Sequence, residues 1–183
     1  MDPSEHDMFR AAIHGDRDAF EMIIRNSSRT LFAIAYAILQ NRAEAEDAVQ
    51  DALVRAWKSR WRVRDPEKFP AWLATIVRHR AHDLLRRSKR VELKSDIGED
   101  TDSGFALDAT ASETHALDQQ VNAALATLPE THRTALTLRY LDDLDYRAIE
   151  SIMGLSNGAV RGILGRALGA MRKRLAPALA TLE

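Results

Sequence analysis

Three groups of side chains in this 183-residue chain have the types and spacing to do chemistry. Asp47, Gln50 and Asp51 stand at i, i+3 and i+4, so a helix places them on one face, opposite an apolar stripe with Val49 and Leu53. Acids and an amide on such a face suit charge-assisted bonds to a basic partner helix, although the pattern alone favours an ordinary solvated face. Next, Trp61, Arg62, Arg64, Lys68 and Phe69 set rings among cations. Cations hold a phosphate backbone and rings take unstacked bases at about 1–3 kcal/mol each, which is chemistry for single-stranded nucleic acid. The same group extends along the next segment, where Arg78, His79, Arg80, His82, Asp83, Arg86 and Arg87 crowd together and arginines can hold phosphates with salt-dependent affinity. His79, His82 and Asp83 also read as metal ligands, but two imidazoles and one acid lack a fourth partner, so neither metal nor cofactor is expected. The third group is Ser156, Asn157, Arg161, Arg166 and Lys173, at and beyond a short turn between two helical patterns. That is the spacing of a helix-turn-helix, whose second helix enters duplex DNA.

The elements that must carry these groups read almost entirely as helix. Apolar residues recur at helical spacing along Arg17–Leu39, through Phe20, Ile23, Ile24, Leu31, Ile34 and Ile38. Asn41 three residues before Glu44 is a capping-box start for a helix running to about Ser59. Trp61–Pro70 reads as a loop, and Phe69–Arg90 as a long helix with Trp72, Leu73, Ile76, Val77, Leu84 and Leu85 along its apolar side. Trp57 and Trp72 fall on apolar faces and are expected in the core. Residues 91–113 are acidic and poor in large apolar side chains, the composition of a flexible linker. Further helices are expected near Thr114–Thr127, Pro129–Leu141, Tyr146–Met153 and Asn157–Leu175, with Asp145 and Ser156 as N-caps and Gly154 just past a helix end. The fold class is all-α: two small helical domains, 1–90 and 114–183, joined by the linker, the second a helix-turn-helix.

Composition narrows the function. Twenty-six basic residues against 27 acidic ones give a net charge of −1, yet the charges segregate. Arg55–Lys94 holds thirteen bases and four acids, Ser95–Asp118 seven acids and no Lys or Arg, and Arg161–Arg174 five bases and no acid. Two basic blocks around an acidic spacer suggest two contacts with a polyanion. The chain has no cysteine, which excludes disulfides, thiol nucleophiles and Cys-ligated metals. Its longest apolar run, Leu31–Leu39, is far short of the roughly 20 residues of a membrane span. The acidic N-terminus is unlike a signal peptide, so a cytoplasmic, soluble protein is expected. No phosphate-binding glycine loop or catalytic triad appears, and an enzyme is the least favoured reading.

Three stretches carry a family resemblance: Ala45-Glu46-Asp47-Ala48-Val49-Gln50-Asp51-Ala52-Leu53-Val54-Arg55-Ala56-Trp57; Ala71-Trp72-Leu73 through Asp83-Leu84-Leu85-Arg86-Arg87; and Leu128-Pro129-Glu130 with Arg133 and Leu138-Arg139-Tyr140-Leu141, leading into the helix-turn-helix. In order and spacing the chain resembles an extracytoplasmic-function sigma factor of the bacterial primary-sigma superfamily. The resemblance implies a subunit that binds core RNA polymerase and promoter DNA and initiates transcription. It implies that Asp47, Gln50 and Asp51 meet the clamp helices of the β′ subunit, and that the second domain reaches the β flap. It implies that the Trp61–Phe69 loop captures a flipped minus-ten base, beside Arg78, His79, Arg80, Arg86 and Arg87. Ser156, Asn157, Arg161, Arg166 and Lys173 then serve the minus-thirty-five element. An anti-sigma factor is an expected partner, and the free chain is expected to be a monomer.

The chain departs from the family at several positions. His79 stands where Asn is usual, Ala148 where Glu is favoured, and Glu150 where a small residue is favoured. Gly158, Gly162, Gly165 and Gly169 line the outward face of the last helix, where few side chains remain to read base edges. Phosphate-led binding through flanking arginines is the expectation, with Arg161→Ala weakening duplex binding almost equally across sequences. The bare face also fits a partner helix. Two alternatives therefore stand beside the sigma reading: a sigma mimic that sequesters an anti-sigma factor, and a stand-alone helix-turn-helix regulator.

Overall fold

The computed structural model describes residues 3–92 and 112–179, and within these the chain is helical with no strand. The expected linker lies mostly outside the described residues. The first unit contains α1 (Pro3–Ile13), α2 (Arg17–Leu39), α3 (Arg42–Ser59) and α4 (Phe69–Glu92). Two short 3-10 turns, Arg60–Arg62 and Pro66–Lys68, join α3 to α4 where the sequence reads as an irregular loop. The second unit contains α5 (Ser112–Ala126), α6 (Glu130–Leu136), a π-helical turn at Thr137–Leu141, α7 (Tyr146–Met153) and α8 (Asn157–Leu179). The single helix expected over Pro129–Leu141 is thus divided: its last turn widens to π geometry, ends at Asp142, and is followed by Asp143 at φ +51.

Local chemistry sets the helix starts. Asp16 accepts from the Ala19 amide at 3.0 Å, Asn41 from Glu44 at 3.1 Å and Asp145 from Ala148 at 2.8 Å. Each satisfies a donor that the first helical turn leaves without a partner. Gly154 ends α7 in the left-handed region at φ +66, as its placement after Met153 anticipates. In the first core, Phe69 is fully buried and stacks on Phe9 with ring centroids 5.8 Å apart, while Phe20 meets both Phe69 and Trp57 edge-on. Ala45, Ala48, Ala52 and Ala56, all fully buried, let α3 lie close against its neighbours. In the second, Val160, Ile163, Leu164, Ala167 and Met171 form the buried stripe of α8 that its sequence period requires.

The two units dock directly. Residues of α2 contact α6 and the π turn, and α4 contacts α7. At the seam Arg133, 9% exposed, donates from Nε to the Ala37 carbonyl and from Nη1 to the carbonyls of Ala126 and Leu128 at 3.2 and 3.3 Å. Its guanidinium thereby caps the C-terminal ends of α2 and α5, where unpaired carbonyls and helix dipoles favour a cation. Burial lowers the Arg133 pKa, opposed by nearby Glu130 and Tyr36. Burial raises that of Tyr36, opposed by Arg133. Asp142 completes the seam, accepting from the Thr30 hydroxyl and pairing with Arg29 at 3.4 Å. No described helix is long and apolar enough to cross a membrane.

Candidate docking and nucleic-acid surfaces

Asp47, Gln50 and Asp51 share an exposed face of α3, as their spacing requires. Val54 lies on the same face and is 54% exposed, an apolar group in the middle of a polar stripe. Helical spacing from Asp47, Gln50 and Asp51 would have found it. Asp51 does not stand alone. One of its oxygens accepts from Nη2 of Arg80 on α4, and that arginine is only 9% exposed. Its Nε and Nη1 are buried without a hydrogen-bond partner among the described residues. Arg80 therefore belongs to the α3–α4 packing, and its expected place among the minus-ten contacts is corrected: Asp51 holds it inward. No local period links residues 29 apart, so the sequence carries no signal for this pair.

The ring-and-cation cluster is only partly where it was expected. Trp61 is 67% exposed, with the Arg62 guanidinium 5.4 Å from its ring centroid. Arg64 and Lys68 are exposed on the following turns, Lys68 lying 3.5 Å from Asp65. All four are exposed, one ring and three cations within eight residues of chain. Phe69 is the second correction. It is 0% exposed at the centre of the first core and offers no face to a base. Trp57 and Trp72 are half-buried against that core, as their apolar faces indicate.

Along α4, His79, Arg86 and Arg87 are exposed. Arg86 bonds Asp83, and this bond with the charges of Arg86, Arg55 and Arg80 lowers the Asp83 pKa. Arg78 is half-buried and lines a cavity of about 180 Å³ at the seam, with Glu130, Thr134, Met153 and Leu155 from the second unit. His82 lies 3.2 Å from Glu130. The docked second unit thus covers one edge of the basic helix and leaves its His79–Arg86 face open.

In the second unit, α7, the turn at Gly154–Ser156 and α8 form a helix-turn-helix. Ser156 caps α8, its hydroxyl accepting from the Ala159 amide at 3.4 Å. Asn157, Arg161, Arg166 and Lys173 are all exposed. A Cβ added at Gly158, Gly165 or Gly169 meets nothing within 4 Å, so this face is open to its backbone. At Gly162 the added carbon comes within 3.3 Å of Nη1 of Arg166, whose guanidinium lies across that glycine. A smooth helix flanked by cations can approach a polyanion closely, with few side chains between backbone and groove.

Comparison with known proteins follows the same division. Residues 23–91 match the model of sigma-70 region 2, and residues 118–171 that of sigma-70 region 4. A probable RNA polymerase sigma factor, RfaY, of Xanthomonas campestris pv. campestris is 32% identical over the whole of this chain, which spans 44% of that relative's length. The ECF RNA polymerase sigma-E factor of Escherichia coli K12 is 29% identical over 80% of this chain and 81% of its own. Among solved structures, the sigma factor RpoE of Bartonella quintana, crystallised with the anti-sigma factor NepR, superposes with a TM-score of 0.65 at 24% identity. That superposition covers 86% of this chain and 96% of the other.

Proposed function

The chain belongs to the sigma-70 family, in its extracytoplasmic-function (ECF) branch, and from that premise we propose that it is a promoter-specificity subunit of bacterial RNA polymerase. The observation that carries the reading is the pairing of two surfaces in one chain: the exposed Asp47/Gln50/Asp51 face on α3 and the helix-turn-helix of α7 and α8. Core polymerase docks on the first surface, with Val54 supplying apolar contact beside the acids. Trp61, Arg62, Arg64 and Lys68, with His79, Arg86 and Arg87, take the melted minus-ten strand, the ring stacking a base while the cations hold phosphates. The outward face of α8 takes the minus-thirty-five duplex. Residues 1–90 and 114–183 are the two functional domains. The protein is a regulatory subunit working in the cytoplasm and has no catalytic site of its own. An anti-sigma factor that covers either surface is its natural inhibitor.

The docked arrangement must open for this work. The two promoter elements lie, by their names, about 25 base pairs apart, which is about 85 Å at 3.4 Å per pair. Domains in direct contact do not reach both. The nineteen residues between Glu92 and Ser112 have a contour length of about 65 Å at most, which permits the separation once the breadth of the two units themselves is added. The test is transcription in vitro from a genomic promoter library with core polymerase, with and without the protein. Protein-dependent start sites sharing an upstream motif are expected. Binding to an anti-sigma factor with no dependent transcript would refute the reading in favour of a mimic.

A further inference from the structure

Around the first turns of α8, four side chains are tied into one assembly. The Glu150 carboxylate accepts from Nδ2 of Asn157, and Oδ1 of Asn157 accepts from Nε of Arg161 at 2.7 Å. The Arg161 guanidinium carbon lies 5.0 Å from the ring centroid of Tyr146. Arg139 is against the same ring at 5.6 Å and is itself held by the Leu144 carbonyl at 3.0 Å. A charge-assisted bond stands at each end of the relay, and the ring limits rotation of the guanidinium. Glu150 is one of the positions where the chain departs from its family, so this arrangement is not a family feature carried over.

The relay decides which atoms remain for a ligand. Asn157 gives one amide N–H to Glu150 and accepts from Arg161 on its oxygen, so its amide is held to the relay and has only one N–H and one lone pair left for an adenine edge. Arg161 has given up Nε and keeps Nη1 and Nη2, which have no partner among the described residues. What is presented is a planar, end-on pair of donors, fixed in direction. In duplex DNA the base that matches two parallel donors is guanine, through O6 and N7. A phosphate offers two acceptors as well. Position favours the base: residues in the first turns of a recognition helix meet base edges. Open backbone at Gly158 and Gly165 lets this helix sit deep.

Resting on the sigma reading above, we propose that Arg161 is the specificity-determining residue of the helix-turn-helix, reading one guanine with its Nη edge, and that Glu150, Asn157 and Tyr146 are its positioning residues. This replaces sequence-indifferent phosphate binding by Arg161 with recognition at a single base pair.

The test is selection of upstream duplexes from a randomised library by the holoenzyme, comparing wild type with R161A, N157A, E150A and E150Q. Wild type is expected to prefer guanine at one position, and R161A to lose about tenfold or more of that preference there. N157A and E150A should lose preference at the same position, while E150Q, whose amide oxygen still accepts from Asn157, should keep it. Charge gives E150A a signature that a folding defect does not: removing a carboxylate near DNA raises affinity for scrambled duplex while the guanine preference falls. Equal weakening of all sequences by R161A overturns the proposal in favour of a phosphate contact. Loss with R161A and full retention with both E150A and N157A overturns the positioning roles. A holoenzyme that starts transcription without a guanine preference overturns the base contact and leaves the sigma reading intact, whereas absence of any polymerase-dependent transcription sinks that reading itself.

Discussion

Replacing Gly165 and Gly169 together by alanine should stabilise the protein and weaken its hold on duplex DNA. Both glycines lie inside α8, both face solvent, and a Cβ at either meets nothing within 4 Å. Neither side chain would touch the buried stripe of Val160, Ile163, Leu164, Ala167 and Met171. The change therefore acts on backbone entropy alone, and a glycine inside a helix costs about 0.8–1.0 kcal/mol relative to alanine. Two non-interacting replacements give about 1.5–2 kcal/mol. With a urea slope of roughly 1–3 kcal/mol per molar for a protein of this size, the midpoint should rise by about 1 M with the slope unchanged. Urea denaturation followed by helical circular dichroism measures this. Gly15→Ala is the contrasting control: φ there is +103, and the added carbon would lie 2.8 Å from Nη2 of Arg60, so that variant should lose stability. Holoenzyme binding to a fixed promoter gives the second readout, since two methyl groups on the bare face hold the helix away from the groove. A midpoint that stays or falls in the double variant would show that this face is covered in the folded chain, and would refute the open-backbone reasoning. Higher stability with unchanged duplex affinity would refute close approach.

Other perturbations separate the seam, the loop and the ionic pairs. Arg133→Met removes the cap from three carbonyls at the seam and should cost about 2–4 kcal/mol, with an increase in radius of gyration by small-angle scattering as the units part. Trp61→Ala should leave stability within about 0.5 kcal/mol, because the ring is exposed, yet reduce open-complex formation at saturating protein. Phe69→Ala should do the reverse at its root, losing about 3–5 kcal/mol by emptying the first core, and unfolding curves of the two variants read side by side decide the point. Asp83 has its pKa lowered by the Arg86 bond, so it adds stability above the usual carboxylate range, and this is lost as pH falls through the lowered value. Denaturation midpoints measured down an acid series should therefore fall less steeply for Asp83→Asn than for wild type.

The order of helices was legible in the sequence because the forces that set it are local. Apolar spacing along Arg17–Leu39 gives the ends of α2 to the residue, and Asn41, Asp145 and Gly154 punctuate helices through bonds to atoms three or four residues away. The Asp47/Gln50/Asp51 face and the helix-turn-helix follow from the same short-range geometry. Side-chain roles were less legible wherever burial or pairing is decided between distant segments. Phe69 sits among cations in sequence, but Phe9 and Phe20 take its ring into the core. Arg80 lies in a run of basic residues, but Asp51 on the facing helix turns it inward. Arg133 reads as one member of a helical pattern, whereas its guanidinium closes the end of a helix 96 residues earlier. The relay from Glu150 to Arg161 likewise needs the α7–α8 angle to bring two polar residues seven apart into contact. Helix formation repeats over four residues and leaves its signature in the chain, while the partner of a buried charge or the occupant of a core site depends on which faces meet, and only the tertiary structure decides that.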